Sequence, residues 1–423
     1  MQTYGWDSVF VLNVVTANQQ LAVNMDKLVE TFDFAYTAGL APTQIQGVFD
    51  PWQIVPGGSN KIIQMKFPIQ SGTMSIAGIG DYKLDGVSVE LQISLDILPS
   101  TVAVQSNVLA FDFSGNTVSD ATGITYVSTQ DPANQVPGTY ESLLGDSLIQ
   151  CLLSNTEAIT YVFATIDLMP ASESWLTPLE SVFCYQQPIN SSAAYLSILS
   201  MTTSQDVSQM SRNVDASLLN ASYDWAMAIS PGMFLKGVIQ PTLPSVFGNG
   251  TTASTFTYKA SLTAIQNTQS FGVGKVTSGL IDYYPQITGL TMSINNNALK
   301  SVTSGNCDLY AGISMTFTIT SNNVMVFNAG NQTFTFNTDP NPTETHDDDI
   351  PLWEEVLLLG VVDVVMAVVV KFIADDIADK LNTITGTRSF AGVTPYVVEW
   401  TGMNQLDVKA GGLSSSFYMQ GLM

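Results

Sequence analysis

Residues 87–97 read VSVELQISLDI, and their polarity alternates without a break. Val87, Val89, Leu91, Ile93, Leu95 and Ile97 fall on one side of an extended chain; Ser88, Glu90, Gln92, Ser94 and Asp96 fall on the other. Side chains of a strand point alternately to the two faces of its sheet, so this stretch predicts a long strand with one buried and one wet face. The same rhythm runs upstream through Ile63, Met65, Phe67 and Ile69, with Gly57, Gly58 and Gly72 as turn residues around it. It returns at Ile313, Met315, Phe317 and Ile319, then at Phe334 and Phe336 beyond NAGNQ. One wet face marks antiparallel sheets, and these strand blocks are long for a globular domain.

Between and after the strand blocks the spacing becomes helical. YESLLGDSLIQCLLS (140–154) gathers Leu143, Leu144, Leu148, Cys151 and Leu152 on one side. Leu218, Leu219 and Tyr223 predict a helix that Pro231 interrupts, and a second helix runs through Phe234, Leu235 and Val238. The longest candidate holds VLLLGVVDVVMAVVVKF (356–372) within a helix predicted over 351–381. Asp349 suits its cap, Pro351 its first turn, and Glu354 and Glu355 the positive end of its dipole. Valine richness favours a strand here, but a run of about 46 Å at 1.5 Å per residue favours the helix. Gly360, Asp363, Ala367, Lys371, Asp375 and Asp379 recur every three or four residues and predict one narrow wet stripe. Leu358, Val361, Val362, Val365, Val368, Val369 and Phe372 form the remaining apolar face.

Composition limits the function classes. The 423 residues exceed what one core supports, and 45% hydrophobic content argues for a folded chain. Asp and Glu outnumber Lys and Arg by 36 to 13, for a net charge of −23. Phosphate contacts need clustered Lys and Arg, so nucleic-acid binding is not expected, and an anionic membrane surface is repelled. Lipid contact must be apolar or use a small patch such as Lys61 and Lys66. The N-terminal MQTYGWDSVF carries no basic and apolar leader, so a cytoplasmic location or export by a non-classical route is expected.

No catalytic constellation emerges. Cys151, Cys184 and Cys307 are too widely spaced for a disulfide framework or metal set, and read as buried free thiols. His346 is the single histidine and sits in TDPNPTETHDDD (338–349), read as an acidic loop. GVGK (272–275) lacks the full phosphate-loop pattern and reads as a turn. Neither metal nor cofactor is expected, and the chain reads as a non-enzyme.

TYGWD (Thr3 to Asp7) is distinctive, and YVFATIDL (161–168), WLTP (Trp175 to Pro178) and AISPGMFLKGVIQPTL (228–243) follow it in order. Together these resemble the clostridial P-forty-seven family, which accompanies OrfX proteins in botulinum neurotoxin gene clusters. Thr177 stands where that family tends to carry Lys, and the chain is poorer in Lys than clostridial members. The resemblance implies the TULIP (tubular lipid-binding) superfamily: an elongated α+β fold of long curved antiparallel sheets wrapped around long apolar helices. Two such halves are expected, over 1–205 and 206–423. TYGWD itself reads as structural, with Trp6 a buried anchor and Gly5 allowing close packing.

The implied function is non-enzymatic lipid binding, as an accessory component of a bacterial toxin or insecticidal system. Groove-wall candidates are Leu358, Val361, Val365, Val368, Phe372, Phe234, Leu235 and Val238. The alternative is an interaction module whose groove is closed by side chains and which works with OrfX-like partners. An integral membrane span is disfavoured, because Asp363 costs roughly 2.5–3.5 kcal/mol near a bilayer centre.

Overall fold

Alternating sequence becomes antiparallel sheet throughout the chain. The structure, a computed structural model, describes residues 1–37, 41–101, 105–114, 123–168, 174–189, 191–278, 280–310, 313–348, 355–371, 373, 378, 381, 397–403 and 407–423. The chain forms two compact units. One comprises Val9–Ala226, Pro395–Gln405 and Met423; the other comprises Met1–Ser8, Met227–Thr394 and Leu406–Leu422. The main division lies at Ala226/Met227, and shorter segments from near the chain ends complete each unit.

In the 9–226 unit, Ile62–Ile76 and Ser88–Pro99 are central neighbours in a sheet of ten described strands. Their register places Phe67 against Val89, Met65 against Leu91 and Ile63 against Ile93, all buried. Stacking apolar pairs on one face fixes this register, because a one-residue slip would turn every one of them outward. The other face is drier than its polar residues suggest. Ser88 and Glu90 are buried, and the strand Glu180–Gln186 packs against this region. Glu90 is kept satisfied there by Gln130 Nε2 at 2.6 Å, Gln64 Nε2 at 2.8 Å and Ser128 Oγ at 3.2 Å.

The helix Glu141–Ser154 forms where expected, with Leu144, Leu148, Cys151 and Leu152 buried. It lies close on the strand Ile124–Gln130 because Gly145 has no side chain; a Cβ there would stand 2.1 Å from the Tyr126 ring. An aromatic cluster fills the unit's interior, with Trp52 edge-on to Phe67 at 4.7 Å and Phe111 edge-on to Phe163 at 5.2 Å.

In the 227–394 unit, a sheet of eight described strands is built on Gln286–Asn295, Ala298–Tyr310 and Ile313–Asn328. Met315, Phe317 and Ile319 are buried, as their alternation requires. The helical region after Ser230 is divided. An α-turn at Pro231–Phe234 passes into a π-turn at Leu235–Ile239, a 3-10 turn at Gln240–Thr242 and a final α-turn at Leu243–Phe247. Pro241 and Pro244 lack the N–H that would continue an α ladder, which accounts for the changes of pitch.

Three expectations are corrected. Residues 214–223 form turns rather than a helix: Asp215 Oδ1 accepts from the backbone N–H of Ser217 and Asn220 Oδ1 from that of Ser222, both at 2.9 Å. Such local side-chain bonds compete with helix formation. The acidic loop contains a strand, Thr343–Asp348, in which His346 pairs with Phe317. Exposed charges suit the outer strand of a sheet, where they discourage further pairing. Finally, the architecture is mainly antiparallel sheet with short helices, not sheet wrapped around long apolar helices. The longest described helix, Glu355–Lys371, has 17 residues, about 25 Å. Asp349, Pro351 and Glu354 lie outside the described residues, as do Asp375 and Asp379.

Candidate functional site

Three of the expected groove-wall residues in the helical region after Ser230 are buried. Phe234 and Leu235 are fully buried and Val238 nearly so. The Phe234 ring stacks on Phe417 with centroids 5.1 Å apart and planes 9° apart, and Phe334 meets Phe417 edge-on at 5.1 Å. At this point the interior of the 227–394 unit is filled by side chains.

On the helix Glu355–Lys371, Val362, Val365, Met366 and Val369 are buried, while Asp363, Ala367 and Lys371 are exposed. Val364 and Val368 are also exposed, at 37% and 42%, so the outward side is partly apolar. The side chains of Leu358, Val361 and Phe372 lie outside the described residues. Among the described residues, no helix is long and apolar enough to cross a membrane. Lys61 and Lys66 do not form a free basic patch: Lys61 pairs with Asp96, and Lys66 Nζ donates to Gln130 at 3.0 Å.

A different feature appears on the inward face of Ala298–Tyr310. Ser301 stands between Met292 and Ser321 in the register, and Thr303 between Leu290 and Ile319. Both side chains are buried, and among the described residues neither hydroxyl has a hydrogen-bond partner. The buried Tyr283 hydroxyl shares that condition. Loss of solvent pushes the Tyr283 phenol upward, with a smaller contribution from nearby Cys307, which continues the same strand face. From Ser301 to Cys307 this track runs about 20 Å. Each unpartnered buried hydroxyl costs about 1–3 kcal/mol. The sequence concealed the track because its polarity is inverted: Ser301 and Thr303 point inward while Val302 is half-buried on the other side.

Two larger clefts lie elsewhere. One, about 680 Å³, belongs to the 227–394 unit and is lined by Thr3, Tyr4, Gly5 and Asp7 together with Ser230–Met233, Lys236 and Tyr258. The other, about 670 Å³, belongs to the 9–226 unit, where Arg212 is joined by Asn60, Gln186 and Gln187. All three cysteines are buried and free, as expected.

The model of the family described as "OrfX-like: Protein OrfX2/OrfX3/P47" matches residues 3–408. The chain belongs to the OrfX-like family. Protein P47 of Clostridium botulinum (strain Kyoto / Type A2) is 27% identical over 353 residues, covering 82% of this chain and 83% of that protein. Protein OrfX3 of Paraclostridium bifermentans is 22% identical over 334 residues, covering 70% and 67%. The structure of P47 from C. botulinum A2 superposes with a TM-score of 0.85 at 25% identity, over 100% of this chain and 98% of that one. P47 of C. botulinum E1 gives 0.80 at 24% identity over 99% of each, a likeness of fold. The matched span includes TYGWD, the inward face of Ala298–Tyr310 and the helix Glu355–Lys371 of this OrfX-like chain.

Proposed function

We propose that this OrfX-like chain is a non-enzymatic lipid-binding protein of the TULIP type, an accessory component of a bacterial toxin or insecticidal system. The observation that carries this reading is the set of buried, unpartnered hydroxyls at Ser301, Thr303 and Tyr283, with Met292, Leu290 and Ile319 beside the first two in the register. An acyl lipid has the matching chemistry. Each buried CH2 contributes about 0.8 kcal/mol, and ester or carboxyl oxygens accept from the hydroxyls. The long antiparallel strands suit the TULIP architecture, and the exposed Val364 and Val368 add apolar surface.

Transfer of a fluorescent acyl lipid between neutral vesicles tests this reading. The wild-type chain accelerates transfer, and combining Ser301→Ala with Thr303→Val slows it. Transfer at the protein-free rate would refute lipid carriage.

The Phe234–Phe417 stack favours a second reading, in which a side-chain-filled interior leaves an interaction module for OrfX-like partners. That reading expects a stable complex with an OrfX-like chain on size-exclusion chromatography, with no lipid in either component.

A further inference from the structure

TYGWD reads as structural in sequence, and Trp6 is indeed buried, but the residues around it build a cleft of a size that holds small ligands. Tyr4 adopts a left-handed backbone, φ +50°, and Gly5 follows at +94°. Most side chains avoid that region, and conformations of this kind concentrate where binding or catalysis holds them. The Tyr4 ring is left 44% exposed at the cleft. Beyond the turn, the Asp7 carbonyl accepts from the Ser230 N–H at 2.9 Å, which fixes the signature to the start of the helical region.

The charges in the cleft are of both signs. Tyr258 reaches the same place from its own strand; its hydroxyl stands 2.5 Å from where a Gly232 Cβ would be, so a larger residue there would push it aside. Asp7 and Tyr258 both line the cleft; burial raises the phenol, a bond with Thr263 opposes this, and the Asp7 charge adds to it. Lys236 follows Gly232 by about 6 Å along the helical axis. It is exposed, and among the described residues it belongs to none of the ion pairs, which join Lys61 to Asp96, Lys275 to Asp282 and Lys409 to Asp407.

We propose that this cleft binds a small zwitterion, its ammonium group held by Asp7 and the rings of Tyr258 and Tyr4, and its anionic oxygen group by Lys236. A carboxylate and aromatic faces together favour a cation, and a lysine one helical turn away favours an anion a few bonds further along the ligand. The strongly acidic chain disfavours ligands that are purely anionic, because one lysine side chain offsets little of a −23 field. Such a zwitterion comes either as a free solute or as a phosphoethanolamine lipid head group. The site stands independently of lipid carriage, since its probe has no acyl chain.

Calorimetric titration of the full chain with O-phosphoethanolamine tests the assignment. Binding is expected, and ethanolamine or inorganic phosphate alone binds at least about tenfold more weakly. Lys236→Gln, at an exposed position that leaves the fold intact, and Asp7→Asn each weaken it about tenfold. Competition by phosphatidylethanolamine vesicles identifies the head group as the source; unchanged binding in their presence identifies the free solute. No binding at about 10 mM, or equal binding by wild type and both variants, overturns the proposal.

Discussion

The rings of Phe234 and Phe417 lie face to face, 5.1 Å apart and 9° from parallel, and both are fully buried. This contact ties the divided helical region to the strand Ser416–Leu422 within one unit. Phe234→Ala therefore destabilises the chain by about 3–5 kcal/mol in urea denaturation, and Phe234→Leu by clearly less. A loss below about 1 kcal/mol for the alanine variant would mean that the stack is not core.

Gly145→Ala gives an outcome opposite to helix propensity. Alanine favours a helix interior by about 1 kcal/mol over glycine, but its Cβ would meet the Tyr126 ring at 2.1 Å. The variant is expected to lose about 1–3 kcal/mol, and Tyr126→Ala in the same chain restores part of it. A stabilised Gly145→Ala variant would disprove close helix–strand contact.

Ser301→Ala and Thr303→Val separate ligand effects from packing. In lipid-stripped protein, removing an unpartnered buried hydroxyl leaves stability equal or raises it by up to about 1–3 kcal/mol. In lipid-loaded protein the same changes lower stability. Equal shifts in both preparations would place the hydroxyls away from any ligand.

The buried thiols set an alkaline limit. Burial raises Cys151 from an ordinary value near 9 to about 11, with Asn155 opposing and the Asp33 charge adding. Burial, then the Asp308 charge, raises Cys307 likewise to about 11. Both values rise on folding, so their stabilisation is complete below pH 9 and is lost as pH climbs towards 11. Urea melts at successive pH values should show stability falling by up to about 1.4 kcal/mol per unit per thiol, less in Cys151→Ala and Cys307→Ala. A flat profile through that window would contradict burial of the thiols.

Much of this fold was legible where burial is one-sided. Met65, Leu91 and Phe317 announced themselves because polar residues flank them. Strands buried throughout, such as Ser8–Asn13 and Tyr195–Met201, have no wet face and hence no alternation to read. Thr343–Asp348 failed in the opposite sense: its residues 343–347 are all exposed, so it resembled a loop. Leu218 and Leu219 suggested a helix, but Asp215 and Asn220 bond to the nearby backbone and hold turns. Of the candidate site, the valine helix was visible in sequence. Ser301 and Thr303 were not, because serine and threonine on a strand ordinarily mark the wet face.

Lipid carriage is the proposed role of the 227–394 unit. Native mass spectrometry of the chain purified without detergent, followed by organic extraction, tests it most directly. The expected result is a mass above that of the polypeptide, with the excess released as acyl lipid and diminished when Ser301→Ala and Thr303→Val are combined. A bare polypeptide mass and an extract without lipid would contradict it.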